Sequence, residues 1–347
     1  MPSVQVSDLG DLTALTLRDL GPLKFQQIAQ SLQYYEVFSK WFVKDKVSFD
    51  SGQGIQKNLM LSYDTTAAKH VGLMDTDQTN VPAVISQLQV PWRHVQTSWS
   101  VMYVTDVLMN RGKALVLNVI KPRRTQALVG LVEELETKAF TTAPGTANTT
   151  DPYSVQYWIV ENATTGFNGN TPGSHTTVGN INPNTSTNFR NYTAVYTNKT
   201  KADLIAKLRT AHRSVRFKSP VTVADYRAGM GDRYRVYVNE VTMSAIEDLG
   251  EGQNENLGRD IASMDGQMVF RRHPIIWVPK LDARTDDPVY LIDHSTFYPV
   301  CLKGNYLRET PADKAPNQHN HFQIFIDLTY NYVCLDRRRN AVLSTSV

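Results

Sequence analysis

From Phe322 to Tyr332 the apolar side chains alternate without a break: Phe322, Ile324, Ile326, Leu328, Tyr330 and Tyr332 occupy every second position. Only an extended strand gathers such a set on one face, because successive side chains of a strand point to opposite sides. Eleven residues at about 3.3 Å each make a strand of roughly 36 Å. A strand that long needs partners. Val289, Leu291 and the run from Phe297 to Leu302 are read as its antiparallel neighbours, with Gly304 and residues 311–320 as turns. Residues 287–339 therefore describe a rigid frame, and point to a building block that works by self-assembly more than to an enzyme.

The rest of the chain is long enough to surround such a frame. Its 347 residues exceed the ~250–300 at which a single core stops growing, so one large core or two linked ones are expected. Hydrophobic residues make up 41% and charged residues 20%, with 16 Tyr and 12 Phe, a composition that excludes a disordered chain. A formal net charge of +3 is too small for a dedicated nucleic-acid binder. The two cysteines, Cys301 and Cys334, form no CxxC pair, which argues against a cysteine zinc site and a disulfide scaffold and for a reducing compartment. The N-terminal sequence does not read as a signal peptide, and no apolar run reaches membrane-spanning length, so no membrane partner is expected.

Along the chain, Phe25, Ile28, Ala29, Leu32 and Tyr35 follow helical spacing behind Pro22, an N-terminal arm over residues 1–45. Residues 46–103 read as a long two-stranded excursion with a thin core of its own, best covered by a neighbouring molecule. Pro122 fits a first helical position, and Leu128, Leu131, Val132, Leu135 and Ala139 then form one stripe. Glu133, Glu134 and Glu136 are read as the solvated or subunit-facing side of that helix. Residues 141–150 look like a linker. Beyond it, Val155, Tyr157 and Ile159 alternate as a strand, and residues 162–191, dominated by Asn, Thr, Gly and Pro, read as a long exposed loop. Thr200 and Asp203 approximate a capping box, Thr242 is placed as the cap of a short helix stopped at Gly250, and residues 270–278 read as a strand.

Candidate chemistry is sparse. His319 and His321 share a strand face but have no third ligand nearby in sequence. Asp293, His294 and Ser295 carry the residue types of an acyl-transfer triad, yet three chain neighbours cannot converge as nucleophile, base and orienter. Gly229 to Gly231 lacks the Lys and Ser or Thr of a phosphate loop. No catalytic residue, cofactor or metal is expected. Three basic clusters, Lys121 with Arg123 and Arg124, Arg271 with Arg272, and Arg337 with Arg338 and Arg339, are either solvated faces or contacts to phosphate or to an acidic neighbour.

Taken together, the arm, the excursion, the amphipathic helix, a mixed insert and the closing strands resemble the major capsid protein of tailed bacteriophages, the Hong Kong 97-type shell fold. The resemblance rests on Asp287-Pro-Val-Tyr-Leu-Ile-Asp293, Phe297-Tyr-Pro-Val-Cys-Leu-Lys-Gly304, Asn305-Tyr-Leu-Arg-Glu309 and Ala315-Pro-Asn-Gln-His-Asn320. It implies an α+β fold with an N-terminal arm, an extended loop at 46–103 lying over an adjacent subunit, a peripheral domain at 104–150 and 287–347, and an axial domain at 151–286. It implies pentamers and hexamers closing into an icosahedral shell around double-stranded DNA, in a virion assembled in the host cytoplasm, with portal, scaffolding and decoration proteins as further partners. Leu59, Tyr63, Trp92 and Trp99 are then the expected intersubunit contacts, since large side chains dominate interface energetics. Arg123, Arg124, Arg337, Arg338 and Arg339 are the expected DNA- or neighbour-facing cations. Two competing readings are a carbohydrate- or cell-surface-binding module built on residues 162–191 and a metal-dependent hydrolase around His294, His319 and His321.

Overall fold

The computed structural model describes residues 35–50, 52–61, 70, 72–73, 85–103, 113–216, 234–254, 268–271, 273–316, 318 and 320–346, without the side chains of 113–121 and 251–254. A helical segment, Val37–Asp45, leads into β1 (Val47–Phe49), the paired strands β2 (Gly54–Met60) and β3 (Ile85–Pro91), then β4 (Arg93–Met102) and the long helix α1 (Lys113–Phe140). The turn α2 (Val155–Trp158), β5 (Gly166–Gly169), β6 (Asn191–Val195), α3 (Ala206–Val215), β7 (Tyr234–Val238), α4 (Glu240–Asn254), β8 (Val269–Phe270) and β9 (His273–Trp277) follow. The chain closes with β10 (Val289–Asp293), β11 (Phe297–Leu302), β12 (Arg308–Glu309), β13 (Asp313–Lys314), β14 (His321–Cys334) and β15 (Ala341–Ser344).

The alternating run is β14, the backbone of a six-stranded sheet. It pairs antiparallel with β4 from His321↔Met102 to Tyr330↔Arg93, and on its other edge with β11, β12 and β13. Phe322, Ile324, Ile326 and Leu328 are buried and the residues between them are partly open. From Leu328 to Cys334 every residue is buried, because both faces are now covered. Trp41 and Phe42 stack on Tyr332 and Tyr330, while Trp158 Nε1 donates to the Tyr332 carbonyl at 3.1 Å. Such edge-to-face contacts are the preferred geometry for aromatic rings.

Val289 and Leu291 are not partners of β14. They lie in β10, inside a seven-stranded sheet ordered β5-β6-β15-β10-β7-β9-β8. A buried turn, closed by Thr296 N–H donating to the Asp293 carbonyl at 3.0 Å, carries the chain from β10 in one sheet to β11 in the other. Residues 287–347 therefore contribute to both sheets, and β4 moves out of the expected excursion into the six-stranded one.

Helix α1 starts at Lys113 and runs through Pro122, so the proline is interior and not at the first position. Pro122 is exposed. A proline forfeits one backbone bond, which a long helix held by tertiary packing tolerates. Leu128, Leu131, Leu135 and Ala139 are buried as the stripe requires, joined by Val132. Gly130 sits on the open side with nothing within 4 Å of where a Cβ would stand, and costs the helix about 1 kcal/mol relative to Ala.

Four other expectations change. Residues 155–158 form a helical turn, with Ile159 N–H donating to the Val155 carbonyl at 2.8 Å, and all are close-packed except Gln156. A two-step alternation over five residues fits either geometry. Helix α4 begins at Glu240 and passes through Gly250, and its cap is Asn239, whose Oδ1 accepts from Thr242 N–H at 3.1 Å. Asp203 accepts from the N–H groups of Thr197 and Asn198, and not from Thr200. The strand expected over 270–278 narrows to β9, because Arg271, with φ at 51°, turns the chain out of β8. The helix expected behind Pro22 lies outside the described residues except for Tyr35.

The seven-stranded sheet carries its own apolar cluster, in which Leu204, Leu208, Ala211 and Val215 pack on Val236, Val289, Leu291 and Leu343. His212 is buried beside His273, ring centroids 5.1 Å apart, with Arg271 Nη1 3.4 Å from its Nδ1. Burial, with His273, Arg216 and Arg271 nearby, pulls His212 down to about 4. A depressed histidine contributes stability above the unfolded value and loses it as pH falls through the folded one. Denaturant midpoints should therefore fall from about pH 6.5 towards pH 4, by at most about 1.4 kcal/mol per pH unit from this group. His212→Leu should flatten that segment of the profile.

Candidate assembly surfaces

Strands β2 and β3 pair residue for residue from Gly54↔Pro91 to Met60↔Ile85 and form a sheet of their own. The excursion is thus two-stranded, as the sequence suggests, but a neighbour is not needed to cover it. Ile55, Leu88 and Val90 are buried within the chain. Gln89 N–H donates to the Gly179 carbonyl at 3.0 Å, and Asn188 Nδ2 donates to the Leu61 carbonyl at 2.9 Å. Gly179 has φ at +55°, and a Cβ there would stand 2.4 Å from Leu88 Cδ1 and 2.9 Å from the Trp158 ring. Glycine is required there on both counts.

Residues 162–191 are therefore a floor under the hairpin and not an open loop. Val178, Ile181 and Phe189 are buried. Asn162 and Asn182 each accept from a backbone N–H two residues on, which lets an irregular segment satisfy itself. Exposed positions remain between these anchors, so the segment is part surface and part floor.

The expected contact residues fare differently. Leu59 is partly buried against the main core, and Trp92 donates its Nε1 to the Gly52 carbonyl at 2.9 Å at the hairpin base. Trp99 is only 5% exposed, so it belongs to its own subunit's core. Tyr63 lies outside the described residues. What the hairpin does expose is Met60 at 71% and Ile85 at 66%, a cross-strand pair at its far end. Period two gives the signal that was missed: Met60 and Ile85 share a face otherwise made of Gln56, Asn58, Gln87 and Gln89.

A groove of about 430 Å³ runs between β4 and α1, lined by Ser98, Trp99, Met102, Gln126, Ala127 and Gly130 among others. Among the described residues β4 pairs with β14 alone, so its outer edge faces the groove without a strand. Arg123 Nη1 caps the Ser100 carbonyl there at 2.9 Å. Among the described residues the buried Trp99 Nε1 has no hydrogen-bond partner.

The arginines expected to face outward are engaged within the chain. Arg124 pairs with Glu309 at 2.7 Å. Arg337 is 0% exposed. Its Nε donates to the Trp158 carbonyl at 2.6 Å, Nη1 to that of Phe189 at 3.0 Å, and Nη2 to the Gly169 and Asn170 carbonyls and to Asn191 Oδ1. Burial pulls Arg337 down to about 10, which leaves it charged at neutral pH. Arg338 donates to Asn188 Oδ1 at 2.6 Å and lies 4.5 Å over the Phe167 ring, and the buried Arg339 is 3.4 Å from Asp293. A run of three cations thus stitches the interior.

The other candidates do not converge. Asp293 Oδ1 accepts from Ser295 N–H at 2.9 Å, while His294 turns to Tyr237 Oη at 2.7 Å and to the Trp41 ring. His319, Arg272 and Gly229 to Gly231 lie outside the described residues, as does the Lys121 side chain, and no group of three metal-ligating side chains forms among those described. Cys301 and Cys334 are buried and free. No described helix is long and apolar enough to cross a membrane. Glu133 and Glu134 are exposed, but Glu136 is buried, against expectation.

A helix packed along a sheet spanned by one long strand, a second sheet closed by the chain's last strand, and a projecting hairpin together make the Hong Kong 97-type capsid fold, of α+β class. The chain superposes on a chain of the cyanophage A-1(L) capsid asymmetric unit with a TM-score of 0.65 at 14% identity, over 96% of this chain and 99% of that one. It matches the capsid of a native GTA particle at 0.54 and 11% identity, covering 94% and 95%, and a chain of Mycobacterium phage Ogopogo at 0.51 and 12%, covering 95% and 98%. No protein-family model and no curated protein matches the sequence.

The five acceptors around Arg337 yield a direct test. Arg337→Ala leaves them unpaired in the interior, and Arg337→Lys keeps the charge but brings three donors in place of a planar fork. Urea unfolding should show a loss of about 3–5 kcal/mol for the alanine variant, with lysine recovering less than half of it.

Proposed function

We propose that this chain is a major capsid protein, a shell subunit that assembles into pentamers and hexamers and then into an icosahedral head enclosing double-stranded DNA. The observation that carries this reading is a pair of complementary features at opposite ends of β14. The hairpin is pinned by Gly179 and Asn188 near the Cys334 end, with Met60 and Ile85 exposed. The groove at Trp99 lies opposite Ile324, near the other end. A hairpin so held does not reach its own groove. The tip of one copy seated in the groove of the next is a head-to-tail contact, and such contacts close into rings when the rotation permits. Closure multiplies modest contacts, so no single interface has to be tight.

Likeness to phage capsid chains supports the same reading, on which the protein is part of a virion assembled in the host cytoplasm. Contact with DNA is then non-specific, and the buried Arg337 and Arg339 take no part in it. Portal, scaffolding and decoration proteins are the expected companions of such a shell.

Electron microscopy of the purified chain should show rings or shells, and monomers at all concentrations would contradict the proposal. Met60→Asp should stop assembly with the unfolding midpoint unchanged. Gly130→Ala should stabilise the isolated chain by about 1 kcal/mol and yet slow assembly about tenfold, since the new methyl group enters the groove. A glycine that is merely tolerated would give the first effect without the second.

A further inference from the structure

Two carboxyl groups are buried where the helical segment Val37–Asp45 meets α1. Glu36 and Glu136 have 0% and 1% exposure, and Val37 N–H donates to Glu136 Oε2 at 2.8 Å. Each cation around them already has an acid. Lys40 pairs with Glu36 at 3.0 Å, Arg235 with Asp45 at 2.9 Å, and Lys280 with Glu133 at 3.1 Å. Among the described residues the remaining titratable neighbours are phenols: Tyr35, Tyr237 and Tyr332, all pushed up by burial and so neutral at ordinary pH. Among the described residues Glu136 is left without an ion pair of its own, Lys280 acting on it only weakly, and its Oε1 takes no hydrogen bond.

We propose that Glu136 carries a proton which latches the N-terminal helical segment onto α1, so that this junction loosens as pH rises. With the proton in place the site is neutral beside the Glu36–Lys40 pair. Without it, a second buried carboxylate faces Glu36, and the fold relieves the charge by admitting water between residues 35–40 and α1. Trp41 and Phe42, fully buried, hold the far end of the segment, so opening is local. Burial is the main cause that raises Glu136, to about 8, with Glu36 adding to it. A carboxyl raised in the fold contributes stability below its unfolded value that is lost as pH rises through the folded one.

Amide hydrogen exchange over residues 35–40, followed by mass spectrometry and normalised to an unstructured peptide of the same sequence, reads the opening. Between about pH 6 and pH 9 the wild-type rate should rise about tenfold. Glu136→Gln keeps an acceptor for Val37 and cannot ionise, so its rate should stay flat, whereas Glu36→Gln removes only the lesser cause and should keep the rise, moved to lower pH. Equal pH profiles in wild type and Glu136→Gln would overturn the proposal. Should the variants fail to fold, infrared spectra of the wild type decide: a protonated carboxylic-acid band at neutral pH that disappears on titration past about 8 supports the latch, and no such band removes it.

Discussion

The guanidinium of Arg337 is enclosed by four carbonyls drawn from three places in the chain, Trp158, Phe189 and the adjacent pair Gly169 and Asn170, with the Asn191 side chain as a fifth acceptor. A buried cation stabilises a fold only when its hydrogen bonds are complete, and here the completing groups run from the end of α2 to the start of β6, bracketing a largely irregular stretch. That stretch has little regular structure to order it. The arginine gives its backbone carbonyls a common centre, and Gly169 admits the Asn191 side chain, which a Cβ would meet at 1.9 Å. From there order passes outward. Phe189 and Val178 enter the core, Gly179 lies flat under Leu88, and the hairpin takes a fixed direction.

A fixed hairpin changes what an assembly contact has to provide. An isolated two-stranded arm is marginal in water, and a partner binding it would bear the cost of ordering it. Here the chain has already ordered β2 against β3, so in the proposed contact a neighbour would meet strands already paired. The six-stranded sheet supplies the opposite requirement, a rigid receiving surface. Its long strand is gripped by the Trp41 and Phe42 rings at one end, and α1 lies against β4 at the other.

Much of this frame was legible in the sequence. The unbroken alternation from Phe322 to Tyr332 admits one geometry, and the Leu128 to Ala139 stripe admits another. The pairing of β11 with β14 followed from proximity along the chain. Proximity failed for Val289 and Leu291, because a four-residue turn at Asp293 to Thr296 switches sheets, and strand periodicity carries no record of which sheet a strand joins. Pro122 was read as a boundary on propensity alone, which tertiary packing overrode. Arg337 to Arg339 and Glu136 were read as surface because charge is normally exposed; only the carbonyl cage and the Val37 amide, both distant in sequence, explain their burial. Trp99 was chosen for its size, and that size is also why it packs inside its own subunit.

The central claim is that the hairpin tip of one molecule fills the β4–α1 groove of another. It is tested most directly by mixing two variants, Met60→Cys and Gly130→Cys, both lacking Cys301 and Cys334, under mild oxidation. The account predicts a disulfide that joins one variant to the other, and a chain carrying both substitutions should link between molecules and not within itself. A link formed inside single chains, or no link while assembly proceeds normally, would contradict it.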